Sequence, residues 1–147
     1  MKFGITVSQI NEVDLVVQAE NAGYDFCWVW DSPMIRSNLW ALLALVAERT
    51  SRISIGPGVA IPALSMAPVT ANAIATINAI APGRTFLGVG TGNTALRAMG
   101  QVPMTIQALE AQLKVIRGLL AGETVAYEAN GINEDIAFQS LELGCIN

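Results

Sequence analysis

The stretch Ile53–Asn93 reads ISIGPGVAIPALSMAPVTANAIATINAIAPGRTFLGVGTGN. It begins and ends with short apolar runs rich in β-branched residues, Ile53–Val59 and Thr85–Val89, and these runs predict strands. Between them, Pro68 suits the first turn of a helix, and Pro82-Gly83 suits its end. Glycines punctuate the carboxyl end of both strands. The stretch therefore predicts a strand, a loop, a helix and a second strand, which together form one βαβ unit.

The same alternation extends in both directions from this unit. Two predicted strand–helix pairs precede it, with strands at Lys2–Val7 and Tyr24–Trp30. After a predicted loop over Gly90–Met104, apolar residues recur at helical spacing from Ile106 to Leu120, and Gly122 ends that helix. Four consecutive βα units are therefore expected.

The end of the chain lacks this pattern. Thr124–Glu128 is a candidate strand that we do not assign to the main sheet, and the periodicity disappears from Asn130 onward. We therefore expect the βα units to occupy residues 1–128 and an irregular tail to occupy residues 129–147.

Alternating strands and helices predict a parallel sheet with right-handed crossovers. Periodicity leaves two architectures open, an open doubly wound sheet and part of a (β/α)₈ barrel. In both, ligands bind at the carboxyl ends of the strands. Four segments are therefore expected on one rim, namely Ser8, Asp31-Ser32, Gly58–Ile61 and Gly90–Asn93.

The composition excludes several classes of function. The 147 residues carry a net charge of −4, so a nucleic-acid partner is not expected. The chain contains no histidine and only two distant cysteines, Cys27 and Cys145, which argues against a metal site and against histidine-based catalysis. Cys27 lies in an apolar strand and is predicted to be a core residue. No apolar run reaches membrane-spanning length, and a cytoplasmic protein without a membrane partner is expected.

Several ordered motifs resemble one family. They are Gly56-Pro57-Gly58-Val59, Thr70-Ala71-x-Ala73-Ile74, Gly83-Arg84 and Gly88-x-Gly90-x-Gly92-Asn93, together with Trp28-Val29-Trp30-Asp31. In this order they resemble the N-terminal half of the luciferase-like flavin and deazaflavin oxidoreductases, and within them the methylenetetrahydromethanopterin reductase group. The resemblance implies a (β/α)₈ barrel rather than an open sheet, truncated to about four units.

The resemblance also implies a cofactor and a reaction. It implies that coenzyme F420 or FMN binds at the strand ends and exchanges a hydride with a small organic substrate. Asp31 is then expected to assist proton transfer. A bulge with a non-prolyl cis bond at Gly58–Val59 is expected to contact one ring face. The remaining expected cofactor contacts are Ser32, Gly90, Thr91 and Asn93.

Read without the resemblance, the same residues have simpler explanations. Asp31 is also typical of a turn or helix start, and Gly90–Asn93 is also typical of a tight strand-to-helix turn. The tryptophans at positions 28, 30 and 40 are more typical of aromatic core packing than of ring stacking.

The expected absence of half of the barrel leaves two classes of function open. A (β/α)₈ barrel takes about 250 residues. The apolar composition, 52% hydrophobic, and the open half together predict a homo-oligomer, most simply a dimer that pairs half-barrels. The leading hypothesis is an oxidoreductase. The alternative is a truncated, non-catalytic flavin-binding or structural oligomer.

Overall fold

The computed structural model describes residues 1–140. Its strands are β1 (Gly4–Val7), β2 (Phe26–Val29), β3 (Ser54–Pro57), β4 (Val125–Ala129) and β5 (Ile132–Ile136). Its helices are α1 (Val13–Asn21), α2 (Leu39–Arg49), α3 (Ala67–Ile80), α4 (Asn93–Ala98) and α5 (Ile106–Leu120). Short 3₁₀ turns cover Ile10–Glu12 and Pro62–Leu64. Among these helices, none is both long enough and apolar enough to cross a bilayer.

The main sheet is parallel and follows chain order. β1 pairs with β2, and β2 pairs with β3, in a register that aligns Gly4 with Phe26 and Phe26 with Ser54. A doubly wound sheet contains a point where the strand order reverses. The order β1-β2-β3 contains no such reversal, which is the arrangement of successive barrel strands.

The predicted fourth strand, Thr85–Val89, is only partly formed. It meets β3 and the loop after it through two isolated parallel bridges, Ile55 with Thr85 and Ala60 with Val89. The β3 side has one residue more between these bridges, which is the signature of a bulge and interrupts the ladder. A β-carbon on Gly88 would lie 2.6 Å from the carbonyl oxygen of Pro57, so the two backbones approach closely there. We call residues 85–89 the fourth barrel segment.

Helices cover one face of this sheet. The side chains of Cys27, Val29 and Ile55 are fully buried there against the apolar stripes of α1, α2 and α3. The prediction that Cys27 belongs to the core is confirmed. Burial raises the pKa of its thiol to about 12, so the thiolate does not form at neutral pH.

The opposite, inner face carries an aromatic cluster of Phe26, Trp28 and Phe86. The ring centroids of Trp28 lie 5.5 Å from Phe26 and 6.1 Å from Phe86. Trp28 lies across Gly4 and Gly58, and a β-carbon on either glycine would collide with its ring. All three aromatic side chains are half-buried, so the inner face stays partly open to solvent. Packing is thus the role of Trp28, as predicted.

A polar network joins the amino ends of the strands. The carboxylate of Glu20 at the end of α1 accepts hydrogen bonds from the backbone N–H groups of Ser51, Arg52 and Ile53. Arg84, just before the fourth barrel segment, donates to the carbonyl oxygens of Ala47, Thr50 and Ile53 and to the Thr50 hydroxyl. These bonds fasten α1, α2 and β3 to one another.

The expectation of an irregular tail is wrong for residues 132–136. β5 pairs antiparallel with β4, and the turn between them has positive φ angles at Asn130 (55°) and Gly131 (77°). Asn-Gly is the residue pair that a type I′ hairpin turn favours. The hairpin packs on α5, outside the main sheet, as expected for residues 124–128. The division at residue 128 stays a prediction, and the tail residues 141–147, with Cys145, lie outside the described residues.

Candidate functional site

The carboxyl ends of β2, β3 and the fourth barrel segment surround one cavity of about 450 Å³. Every residue that the sequence predicts for the site lines this cavity, namely Asp31, Ser32, Gly58, Val59, Gly90, Thr91 and Asn93. Ile61 and Gly92, which belong to the predicted rim segments, also line it, whereas Ser8 and Ala60 of the predicted rim do not. Sequence reasoning missed three lining residues, namely Trp30, Thr94 and Ala95. The predicted rim therefore exists, whereas the role of each residue in binding stays a prediction.

Asp31 connects the end of β2 to the loop after β3. Its Oδ2 atom accepts a hydrogen bond of 3.0 Å from the backbone N–H of Ile61. Burial raises the pKa of the Asp31 carboxyl above its usual range, and the bond from Ile61 offsets only part of that effect. A single bond uses one of the two carboxylate oxygens, so Oδ1 is left for a ligand in the cavity.

The loop after β3 forms the apolar side of the cavity. The peptide bond between Gly58 and Val59 is cis, as the family resemblance predicts. Gly58 donates to the carbonyl oxygen of Val29, and Ala60 donates to that of Gly88, both at 2.8 Å. These two bonds hold the bulge between its neighbours on both sides. Between them the Val59 side chain remains 41% exposed and lines the cavity.

The loop after the fourth barrel segment forms the polar side. Gly92 has a φ of 79° and leads directly into α4, whose first residue is Asn93. The Nε atom of Arg97 donates to Asn93 Oδ1 at 2.7 Å. Because the Asn93 oxygen is engaged, its amide NH₂ group is the part left to donate to a ligand. Asn93 and Thr91 therefore offer hydrogen-bonding groups opposite the apolar loop.

Trp30 differs from the other two tryptophans. Trp28 and Trp40 pack within the fold, whereas the Trp30 side chain is 40% exposed and lines the cavity. Core packing is therefore the wrong interpretation for this residue. The predicted strand Tyr24–Trp30 includes this residue, whereas β2 ends at Val29, so the sequence pattern does not separate Trp30 from Trp28. No group of three or more acidic, cysteine or histidine side chains in residues 1–140 is arranged to hold a metal.

Comparison with known proteins identifies the class to which this fold and cavity belong. Residues 7–139 match the luciferase-like monooxygenase family, so the chain belongs to that family. The predicted resemblance is confirmed.

Curated relatives specify the branch. A 5,10-methylenetetrahydromethanopterin reductase from Archaeoglobus fulgidus is 32% identical, over 98% of this chain and 44% of the relative. An F420-dependent glucose-6-phosphate dehydrogenase from Kineococcus radiotolerans is 36% identical, over 82% of this chain and 40% of the relative. The chain thus spans less than half the length of these relatives.

Solved structures agree on the fold. The coenzyme F420-dependent tetrahydromethanopterin reductase from Methanopyrus kandleri matches 90% of this chain and 44% of its own, with a TM-score of 0.77 and 26% identity. The oxygenating constituent of 3,6-diketocamphane monooxygenase from Pseudomonas putida, solved with FMN, has a TM-score of 0.79 at 18% identity. These neighbours are (β/α)₈ barrels, so the described structure is part of such a barrel, as predicted.

Proposed function

We propose that this chain forms part of a site for a flavin or deazaflavin ring, FMN or coenzyme F420, in an oxidoreductase. The reaction is hydride transfer between that ring and a small organic substrate. One observation carries the proposal: the seven residues expected to touch the ring line a single cavity. The relatives support the choice of cofactor, since their names specify F420 and one neighbour was solved with FMN.

The cavity suits a planar heterocycle with a polar edge. Trp30, Val59 and Ile61 give it an apolar side, and Asp31, Thr91 and Asn93 give it hydrogen-bonding groups. Binding sites for cofactors are mostly apolar with a few placed polar groups, in volumes of roughly 300–1,000 Å³. A ring held here has its face against Val59 and its polar edge toward Thr91 and Asn93.

Asp31 is the residue to which we assign proton handling. When bound, the ring supplies the two-electron chemistry, which leaves the protein to move or hold a proton. Asp31 lines the cavity, its Oδ1 atom has no hydrogen-bond partner among residues 1–140, and burial raises the pKa of its carboxyl. A carboxyl group with a raised pKa holds a proton more readily at moderate pH, as a general acid must. Ser32, which also lines the cavity, is assigned to cofactor binding.

The direct test is binding of the ring. FMN and F420 are each titrated into the purified protein while ring fluorescence and visible absorbance are followed. Saturable quenching at micromolar concentration is expected for one of them. Binding of neither at high micromolar concentration overturns the proposal. An Arg117→Gln variant, altered on the exposed side of α5, serves as the matched control.

A second candidate is a non-catalytic protein that binds the ring or has a structural role. It is favoured by the lining of the cavity, in which Asp31 is the one ionisable side chain among the described residues. Oxidation of the reduced ring by a panel of ketones, imines and activated alkenes distinguishes the two. Bound ring that is oxidised no faster than in protein-free buffer supports the second candidate.

We further propose that two copies pair through their inner faces into a dimer. The half-buried aromatic cluster of Phe26, Trp28 and Phe86 is the observation behind this pairing. Light scattering on the 147-residue chain is expected to give a dimer mass. A stable, folded monomer contradicts the pairing, and a Trp28→Ala change is expected to weaken it.

A further inference from the structure

The guanidinium group of Arg36 lies over the ring of Trp30, a residue that lines the cavity, and has no acidic partner among the described residues. The Cζ atom of Arg36 lies 5.3 Å from the ring centroid of Trp30, which lines the cavity. Across residues 1–140, the salt bridges join Arg49 to Asp14 and Lys114 to Glu110, so Arg36 is in neither. Stacking on an aromatic face leaves the N–H groups at the edge of the guanidinium plane free to bind.

The loop that carries Arg36 is held in place. The backbone N–H of Arg36 donates to the carbonyl oxygen of Ser32 at 2.9 Å, and that of Ser37 donates to the carbonyl oxygen of Ser8 at 3.1 Å. The Ser37 hydroxyl also accepts from the backbone N–H of Ile10 and donates to the Gln9 side chain. These bonds fasten the loop after β2 to the loop after β1, so the backbone position of Arg36 is fixed.

The charged side chains near the cavity differ in whether they are free to bind an anion. The lining residues include one acidic side chain, Asp31, and no basic one in the described part of the chain. Arg97 lies beside the cavity, but its Nε atom is already bound to Asn93. An anionic group that enters the cavity would face Asp31, so its binding needs a cation nearby. The Arg36 guanidinium, over the ring of the lining residue Trp30, has no polar partner among residues 1–140.

We propose that Arg36, stacked on Trp30, binds an oxyanion group of the organic substrate, a carboxylate or a phosphate. Guanidinium and these oxyanions match in a planar, two-bonded geometry, and Trp30 keeps the plane oriented. The proposal rests on the proposed function in one respect: the molecule bound by Arg36 is the one that reacts with the ring. Arg36 thereby selects anionic over neutral substrates.

The first experiment needs no cofactor. Benzoate, phenyl phosphate and uncharged methyl benzoate are titrated into the cofactor-free protein, and the Trp30 indole resonance is followed by NMR, assigned with Trp30→Phe. Saturable shifts are expected with the two anions only. Arg36→Gln is expected to weaken the affinity for both anions by roughly tenfold, and Arg36→Lys is expected to weaken it less. The control Arg117→Gln is expected to leave both affinities unchanged. Absence of a shift with both anions, or equal shifts in Arg36→Gln, overturns the proposal.

The second experiment separates the substrate from the cofactor as the source of the oxyanion. FMN carries a phosphate that riboflavin lacks, so the affinities of both are compared in the wild type and in Arg36→Gln. If Arg36 binds the substrate, we expect the ratio of FMN affinity to riboflavin affinity to be the same in the wild type and in Arg36→Gln. A ratio that falls in Arg36→Gln overturns it and assigns Arg36 to the cofactor phosphate. Since the NMR titration uses no ring, failure of ring binding overturns the proposed function without deciding the anion site.

Discussion

The side chain of Val59 occupies the space that a β-carbon on residue 90 would need. Its Cγ2 atom lies 2.7 Å from the position of such a carbon on Gly90. Val59 belongs to the loop after β3, and Gly90 follows the fourth barrel segment, so the contact joins two loops at the cavity. Glycine at position 90 therefore sets where the Val59 side chain lies.

Replacing Gly90 with alanine is expected to push Val59 into the cavity. Overpacking costs about 1–3 kcal/mol, so ring binding should weaken roughly tenfold. In the Gly90→Ala/Val59→Ala double variant the collision disappears, and the affinity should return to that of Val59→Ala alone. Fluorescence titration of the four proteins gives the coupling free energy. Additive losses would show that the two side chains do not compete for this space.

Asp31→Ala is expected to loosen the loop after β3, because the N–H of Ile61 loses its acceptor. The free energy of unfolding should fall by about 1–2 kcal/mol, whereas Asp31→Asn keeps an acceptor oxygen and should lose less. Urea unfolding measures both. If the two variants are equally stable, the Ile61 bond does not hold the loop.

The Asp31 pKa gives a pH signature. Because burial raises it in the folded state, the folded protein binds the proton more tightly than the unfolded chain does. Relative to Asp31→Asn, the wild type should be most stable below the usual aspartate range. It should lose that advantage as pH rises through the folded pKa. Urea unfolding of the wild type and Asp31→Asn across acidic pH measures the difference in their free energies of unfolding. A stability advantage of the wild type that grows as pH rises would contradict the raised pKa.

Glu20 should show the opposite pH dependence. Burial alone would raise the pKa of its carboxyl, but hydrogen bonds from Ile53, Arg52 and Ser51, with the charge of Arg52, outweigh burial and lower it. The stabilisation is therefore present above the usual glutamate range and is lost as pH falls through the folded pKa. Glu20→Gln should flatten this loss in acid unfolding curves. If the free energy of unfolding depends on pH in the same way in the wild type and in Glu20→Gln, the lowered pKa of Glu20 does not account for the acid sensitivity.

Arg84→Lys is expected to destabilise the fold without changing the cavity. An ammonium group cannot reach the four acceptors that the guanidinium binds on Ala47, Thr50 and Ile53, so about 2–3 kcal/mol should be lost. Urea unfolding measures the loss, and Arg117→Lys on exposed α5 is the control, with a change below about 0.5 kcal/mol. Ring affinity of the folded Arg84→Lys protein should match the wild type. A weaker affinity would mean that the network also shapes the cavity.

Much of the fold follows from local pattern. The apolar spacing from Ile106 to Leu120 predicts α5 with the bounds that the structure has, and Thr105 caps it by accepting from Ala108. Strong periodicity over four turns leaves little ambiguity about such a helix. The short α4, in contrast, lies within the loop predicted over Gly90–Met104, because six residues carry too little periodicity to reveal a helix.

The periodicity of the sequence did not predict β5 or the bulge beside the fourth barrel segment. The Asn130-Gly131 pair is typical of a hairpin turn. The residues after it alternate only weakly between apolar and polar, so β5 was not predicted. The fourth barrel segment reads as a strand from Thr85 to Val89, but the bulge beside it depends on the opposing chain and is absent from local sequence.

The site was predictable in position but not in contacts. Parallel strands bring their carboxyl ends together, so the rim follows from strand order alone. The bond from Ile61 to Asp31 joins residues 30 positions apart, and the stacking of Arg36 on Trp30 depends on the path of a loop. Such contacts are set by tertiary structure, which residue spacing does not encode.

The network of Glu20 and Arg84 lies at the end of the sheet away from the cavity. None of its side chains lines the cavity, and its bonds fasten helices to the sheet on their own. Substitutions in the loops around Asp31, Val59 and Asn93 can therefore accumulate without loosening these bonds. The lining of the cavity can therefore change at one end of the sheet while the Glu20 and Arg84 bonds persist at the other.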